Sequence, residues 1–181
     1  MTMTIQERID AARKAQAQIL DYTQEQVDKL VFEIAKVIYL NAEPLAKMAV
    51  EETRLGKYED KIGKNTDTPT AFWAYLKDKK SVGVIREIPE EGIIEVAHPI
   101  GVIGAVTPAT NPTVTPLGNA MHALKGKNAL VITPAPRAEK TSTRTVELMR
   151  EALVKCGAPA DLIQIIEEIT IEKSAELMEK C

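Results

Sequence analysis

Apolar side chains recur at helical spacing through the first 80 residues. A threonine followed three residues later by Glu or Gln precedes two of these runs, at residues 4–7 and 23–26, which is the pattern of a helix capping box. Pro44 is placed to begin a third helix and Gly56 to end it, and a weaker helical pattern continues past Trp73. The sequence predicts an all-helical segment over residues 1–80.

The pattern changes to alternation between residues 81 and 98. Two short apolar runs flank the turn sequence Pro-Glu-Glu-Gly at residues 89–92. Ile94, Val96 and His98 fall on one face of the second run, because side chains of a strand alternate between its two faces. The sequence predicts a β-hairpin over residues 81–98.

After Pro99, short β-rich runs alternate with helical stretches, an order typical of a parallel sheet with right-handed crossovers. The predicted strands lie at 101–107, 129–133 and 162–166, and the predicted helices at 114–125, 141–156 and 171–180. The apolar run at 102–106 is typical of a strand covered on both faces. The sequence therefore predicts an α/β fold, with the sheet in residues 99–181.

Composition narrows the class of protein. The 181 residues include 23 basic and 26 acidic side chains, for a net charge of −3, and 45% are hydrophobic, which is typical of a globular protein. No basic cluster alternates with aromatic residues, so nucleic acid is not an expected partner. Prolines and glycines interrupt the longest uncharged stretch, so no membrane span is expected. Two cysteines and a charged start without an export signal predict a cytoplasmic protein.

Candidate chemistry lies in the loops after the first two strands of the sheet, because ligands of open α/β sheets bind beyond the carboxyl ends of the strands. The first loop reads Thr107-Pro108-Ala109-Thr110-Asn111-Pro112-Thr113. Prolines on both sides hold its tip in an extended shape, so the Asn111 carboxamide could donate to an oxyanion formed at a carbonyl. An Asx turn explains the same Asn-Pro pair, and the pattern does not decide between the two.

The second loop reads Thr133-Pro134-Ala135-Pro136-Arg137 and leads into a predicted helix. Backbone N–H groups at the start of that helix, with Arg137 beside them, could receive an anionic group. A stiff connector with a solvated arginine explains the sequence equally well. The GxGxxG fingerprint of dinucleotide-binding folds does not occur in the chain.

The chain offers few nucleophiles or metal ligands. Cys156 lies at the C-terminal end of a predicted helix, where the helix dipole raises the pKa of a thiol, and Cys181 is beside the terminal carboxylate, so neither is expected to be catalytic. His98 and His122 have no cysteine or carboxylate at ligand spacing, so no metal site is expected. Two pairs of adjacent acids are expected on solvated helix faces: Glu51 with Glu52, and Glu59 with Asp60.

Five motifs, in order along the chain, resemble those of one enzyme family. They are YTQEQVD at 22–28, LAKMAVEET at 45–53, EDKI with KN at 59–65, GVI at 83–85, and HPIGVI at 98–103 with TNPT at 110–113. The sequence resembles the CoA-acylating aldehyde dehydrogenases, including the aldehyde half of bifunctional aldehyde/alcohol dehydrogenases, over nearly the whole chain from about Ile5.

The resemblance implies the aldehyde dehydrogenase fold, with the hairpin as an oligomerisation arm and residues 99–181 as the first half of a Rossmann-like nucleotide-binding domain. It implies NAD(P)-dependent oxidation of a small aldehyde to acyl-CoA through a cysteine thioester, with CoA as co-substrate, in a homo-oligomer. Asn111 would be the oxyanion donor. The residues implied in cofactor binding are Thr107, Pro108, Ala109, Thr110, Thr133, Pro134, Ala135, Pro136 and Arg137.

The sequence departs from the family at two places. Ala135 stands where acylating members commonly have the histidine of Pro-His-Pro-Arg-Ala, so a contact from that histidine is not expected. The family's nucleophilic cysteine lies in a glycine-rich motif further along, and the chain ends at Cys181 without it. We therefore expect the N-terminal part of a longer catalytic unit, inactive by itself. The alternative is a non-catalytic module that binds a nucleotide, or that oligomerises through its hairpin and sheet edge.

Overall fold

A computed structural model describes residues 3–181, and the N-terminal part of the chain is helical as predicted. The helices are α1 (Ile5–Ala17), α2 (Gln24–Leu40), α3 (Ala42–Thr53) and α4 (Tyr58–Leu76). Both predicted capping boxes form, since Thr4 accepts the N–H of Glu7 and Thr23 accepts the N–H of Gln26. In the described chain, every helix falls short of the length or the hydrophobicity that a transmembrane span requires.

The predicted hairpin forms from two antiparallel strands, β1 (Gly83–Ile88) and β2 (Ile93–Ala97). Gly92 precedes β2 with a φ of +65°, a left-handed conformation that glycine adopts without strain. The side chain of Gln24 fixes the base of the hairpin, because its Oε1 accepts the backbone N–H groups of Ser81 at 2.8 Å and Val82 at 3.2 Å. The base of the hairpin is therefore held beside the first residue of α2 and, through it, against the layer formed by helices α1–α4.

The predicted parallel sheet has three strands in the order β3-β4-β5. Its elements are β3 (Val102–Thr107), α5 (Val114–Lys125), β4 (Ala129–Pro134), α6 (Glu139–Lys155), β5 (Ile163–Ile165) and α7 (Ile171–Lys180). Helices α5 and α6 cover one face, while α1 and α7 cover the other. Helix α2 packs on α5 and α6 from outside, so the helical layer and the sheet share one hydrophobic core.

Strand β4 is buried along its whole length, whereas β3 is buried only in part. Every residue of β4 is buried, whereas Val106 in β3 is 63% exposed. Helix α5 contacts β3 on one face and α1 and α7 contact it on the other, so the predicted cover on both faces is present but is incomplete at Val106. Among residues 3–181, β3 is the outer strand and pairs with β4 alone, and its apolar composition does not by itself determine its exposure.

Helices α4 and α5 approach closely at Gly118. A Cβ atom at this position would lie 2.7 Å from Cε2 of Phe72, so only glycine fits without a shift of the ring. The same ring meets the imidazole of His122 edge-on, with 5.6 Å between ring centroids. This contact fixes α4 against α5.

We expect Gly118→Ala to lower the free energy of unfolding by about 1–3 kcal/mol, because the new methyl group overpacks against Phe72. Gly63→Ala is the matched control in α4: no atom lies within 4 Å of its Cβ position, and alanine favours a helix by about 1 kcal/mol. Urea unfolding of the two variants tests this. Equal stabilisation by both substitutions would contradict the close α4–α5 contact.

Candidate functional site

The loops after β3 and β4 follow the carboxyl ends of two adjacent strands and lie side by side. We call this end of the sheet its carboxyl edge. The two strands pair in parallel, with Thr107 opposite Pro134. The predicted site residues of both loops, at 107–111 and 133–137, therefore lie together at the carboxyl edge of the sheet. Ligands of open α/β sheets bind at this edge.

The carboxamide of Asn111 is held from the side of α4. Its Oδ1 accepts a hydrogen bond from the Lys64 ammonium at 3.3 Å, and its backbone carbonyl accepts the N–H of Thr115 at 3.2 Å. Within residues 3–181, Oδ1 receives no backbone N–H, so the geometry is not that of an Asx turn. Nδ2 has no partner among the same residues, so its two N–H groups can donate to a ligand.

A second ammonium of α4, that of Lys61, reaches the same loop. Lys61 is only 6% exposed and donates to the carbonyl of Thr110. Asn65 continues this face of α4 and donates to the carbonyl of Ala42 at 3.1 Å. Reasoning from the strand ends missed these α4 residues as part of the site. Their spacing of i, i+3 and i+4 in the motif EDKIGKN was the available signal, because it places them on one helix face.

The surroundings of Asn111 are electropositive. The ammonium groups of Lys61 and Lys64 converge on its loop, and α5 begins just after it with no acid in the first turn. Among residues 3–181, no carboxylate oxygen lies within 4 Å of either ammonium. Burial, together with the charge of Lys64, holds the pKa of Lys61 below its usual value. Cations and a helix N-terminus suit a carbonyl oxygen that gains negative charge.

The second loop is tied to α3 and α7. Arg137 donates to the carbonyl of Thr53 at 3.0 Å, at the C-terminal end of α3. The hydroxyl of Thr133 lies 3.1 Å from that of Ser174 in α7. The guanidinium therefore caps a helix, as cations do at helix C-termini. These contacts favour the connector interpretation of this loop, although its arginine is bound to α3 rather than solvated.

The start of α6 holds an anionic group from the chain itself, the carboxylate of Glu52. Its oxygens accept the backbone N–H groups of Lys140 at 2.7 Å and Thr141 at 2.8 Å, and the Thr141 hydroxyl at 2.6 Å. The expectation that Glu52 lies on a solvated face is wrong, because the helix N-terminus binds its charge. Glu51 beside it is exposed, as expected.

The carboxyl edge presents apolar surface, while the groups beside it that could bind an anion are already engaged. Val106, Pro108 and Pro136 are exposed there and offer an apolar surface. The hydroxyl of Thr107 is buried at this edge without a hydrogen-bond partner among the described residues, which is rare in proteins. The groups suited to phosphate, the α6 N-terminus and Arg137, are engaged within the chain. Cofactor binding by the two loops stays a prediction.

Neither thiol is activated. Burial raises the pKa of Cys156, and the charge of Glu33 adds to this, while burial also raises the pKa of Cys181. A raised pKa lowers the thiolate fraction at neutral pH. The direction agrees with the sequence prediction, but burial is the main cause at Cys156. In the part of the chain that the structure describes, no three His, Cys, Asp or Glu side chains form a cluster that could hold a metal ion.

Known proteins are similar in sequence to this chain over almost its whole length. Residues 2–180 match the aldehyde dehydrogenase family. The chain belongs to the aldehyde dehydrogenase family. Its relatives include the succinate-semialdehyde dehydrogenase (acetylating) of Clostridium kluyveri, 51% identical over 98% of this chain and 39% of the relative. The bifunctional aldehyde-alcohol dehydrogenase of Escherichia coli is 39% identical over 94% of this chain and 19% of the relative.

These relatives confirm the predicted resemblance to CoA-acylating aldehyde dehydrogenases and to the aldehyde half of bifunctional enzymes. This aldehyde dehydrogenase chain spans about two-fifths or less of the length of the curated relatives it matches.

Solved structures confirm the predicted fold. The acetylating aldehyde dehydrogenase of Geobacillus thermoglucosidasius has a TM-score of 0.94 at 37% identity, over 97% of this chain and 39% of that one. A Rhodopseudomonas palustris propionaldehyde dehydrogenase with bound CoA and an acylated cysteine has a TM-score of 0.81 at 32% identity, over 98% and 40%. An engineered glycolyl-CoA reductase with bound NADP+ has a TM-score of 0.82 at 30% identity, over 99% and 41%.

We expect Glu52→Ala to lower the free energy of unfolding by about 1–2 kcal/mol, because the first N–H groups of α6 lose their cap. Glu51→Ala removes the same charge from the exposed neighbouring position and should change stability by less than about 0.5 kcal/mol. Urea unfolding at neutral pH compares the two. Equal losses would show that Glu52 acts only through its general charge.

Proposed function

We propose that this chain forms the N-terminal part of an NAD(P)-dependent, CoA-acylating aldehyde dehydrogenase, which converts an aldehyde, CoA and NAD(P)+ into acyl-CoA and NAD(P)H. The names of its relatives support this reaction, as do the CoA and NADP+ bound in related structures. The observation that carries the proposal is the placement of Asn111, whose free amide N–H groups lie at the carboxyl edge of the sheet in electropositive surroundings.

Asn111 supplies the electrophilic part of this chemistry. When a thiolate adds to the aldehyde carbon, the carbonyl oxygen gains negative charge, and Nδ2–H of Asn111 donates to it. Loss of a hydride from this adduct leaves a thioester. When a second thiol then adds to the same carbon, the oxygen gains charge again before the first thiolate leaves, so one donor serves both additions. Bound NAD(P)+ would supply a hydride acceptor, and CoA the thiol that takes the acyl group.

We infer that neither thiol of this chain is the nucleophile. Helix α6 begins beside the carboxyl edge of the sheet and runs back across it, so Cys156 at its C-terminal end lies towards the opposite edge. Cys181 lies over the middle of β3, since its Sγ is 3.3 Å from the Cβ position of Gly104. Both thiols are therefore displaced from Asn111, and both have raised pKa values.

The hairpin is the surface that we propose for contact between copies of the chain. Ile94 is 62% exposed and Val96 is 49% exposed on one face of β2, where the predicted alternation placed them. Exposed apolar strands in a two-stranded sheet favour pairing with another chain. A homo-oligomer joined through the hairpin is consistent with both observations.

In the complete polypeptide that contains this chain, we expect Asn111→Ala to lower the rate of acyl-CoA formation by about two to three orders of magnitude, or roughly 3 kcal/mol, the typical effect of one oxyanion donor. Asn111→Asp should be at least as slow, because it keeps an acceptor for Lys64 and removes the amide donor. NAD(P)H formation with CoA and succinate semialdehyde or acetaldehyde measures both variants.

An unchanged rate in either variant would contradict the oxyanion role and indicate that Asn111 only shapes the loop. The isolated chain of 181 residues is the negative control and should form no NAD(P)H. Turnover that persists there and is lost in Cys156→Ser would show that the wrong thiol had been dismissed. A complete polypeptide without aldehyde-dependent activity would instead favour the non-catalytic module.

We expect the chain to self-associate, and Val96→Lys to weaken that association, because it places a charge on the exposed face of β2. Val154→Lys is the matched control, since Val154 is 59% exposed on α6, away from the hairpin. Sedimentation velocity at several concentrations tests this. A monomeric parent chain, or equal weakening by both variants, would contradict the hairpin as the contact surface.

A further inference from the structure

The loop that carries Asn111 receives two hydrogen bonds from one face of α4. Lys61 donates to the backbone carbonyl of Thr110, and Lys64 donates to the side chain of the next residue, Asn111, at 3.3 Å. The two lysines are three residues apart, so they lie on the same side of the helix. One contact thus holds the backbone of the loop and the other holds its functional side chain.

The Lys64 contact fixes the orientation of the Asn111 carboxamide. An ammonium has three donors and no acceptor, so the atom that faces it must be Oδ1 and not Nδ2. The two N–H groups of Nδ2 must then point away from α4. A cation at Oδ1 also draws electron density from the amide, which strengthens its N–H groups as donors.

Burial of the charged Lys61 side chain is energetically unfavourable. Its side chain is buried, its pKa is lowered by burial and by Lys64, and no carboxylate of residues 3–181 lies within 4 Å of its ammonium. Such a charge is tolerated only where hydrogen bonds compensate for its lost hydration. Gly56 makes room for the side chain, because a Cβ there would lie 3.1 Å from Cε of Lys61.

Little room remains between the two lysines and the loop. The space enclosed between α4 and the loop is only about 10 Å³, which is close to the smallest volume that holds one water molecule. An aldehyde or acyl group therefore cannot enter from this side. Within this space, the loop side chain that Lys64 contacts is that of Asn111.

We propose that Lys64 is a positioning residue that orients and polarises the Asn111 carboxamide for oxyanion stabilisation, with Lys61 fixing the backbone of the loop beneath it. This inference rests on the proposed function, since it assigns a role in the same acyl transfer. The competing explanation is an ordinary surface contact of an exposed lysine, which contributes little to stability or rate.

Kinetics of the complete polypeptide test the proposal. We expect Lys64→Met to lower kcat about tenfold while KM for the aldehyde changes less than about threefold, because the donor is weakened and substrate contacts remain. Lys64→Arg keeps a cationic donor and should restore at least about a third of the rate. Lys57→Met is the matched control, since it removes an exposed lysine beside the start of α4 and should leave kcat unchanged.

A double-mutant cycle separates this proposal from the proposed function. Lys64→Met should have no further effect on kcat in the Asn111→Ala background, because its influence passes through the carboxamide. A loss of equal size in both backgrounds would overturn the positioning role and leave the role of Asn111 intact. If Asn111→Ala alone leaves the rate unchanged, the oxyanion role of Asn111 is wrong. The spectroscopic test below then shows whether Lys64 orients the Asn111 carboxamide.

The spectroscopic test needs no activity. In this chain labelled with [15N]asparagine, the side-chain NH2 signals of Asn111 are identified by their loss in Asn111→Asp. Lys64→Met should shift these signals, while Lys57→Met should not, because only Lys64 contacts Oδ1. Unmoved signals in Lys64→Met, with the other asparagine signals unchanged, would overturn the proposal.

Discussion

The hydrogen bond from the buried Lys61 ammonium to the Thr110 carbonyl joins α4 to the loop at the carboxyl edge of the sheet. A buried cation without a nearby carboxylate has to keep its hydrogen bond, so the loop cannot move away from α4 without exposing or orphaning that charge. The position of α4 therefore decides the position of Asn111. Close packing at Gly118 and the Asn65 bond to the Ala42 carbonyl fix α4 in turn.

The second loop and helix α3 stabilise each other. Glu52 near the end of α3 caps the start of α6, while Arg137 before α6 caps the end of α3 through the Thr53 carbonyl. Each helix end thus receives the charge that its dipole favours. Because both loops are tied to the N-terminal helices, the carboxyl edge of the sheet is organised by residues that come earlier in the chain.

Local signals made most of the fold predictable from the sequence. The capping boxes at Thr4 and Thr23 involve residues three positions apart, and the helix at Val114–Lys125 has the bounds that its pattern predicts. The contacts of Glu52 with Lys140 and of Lys64 with Asn111 join residues 88 and 47 positions apart, so no local pattern contains them. The exposure of Val106 in β3 was missed for a related reason: the composition of the strand is local, whereas its position beside β4 alone among the described residues depends on the whole fold.

The electrostatic surroundings of Asn111 and Cys156 indicate what kind of chemistry this chain can contribute. Stabilising an oxyanion needs positive potential and a fixed donor, and both arise at Asn111 from α4 and the start of α5. Activating a thiol also needs positive potential, but Cys156 lies half-buried at a helix C-terminus, with Glu33 among the charges that act on it. The surroundings of Asn111 therefore favour a group that gains negative charge, whereas those of Cys156 disfavour a thiolate. Under the proposed function, this chain contributes oxyanion stabilisation rather than the nucleophile.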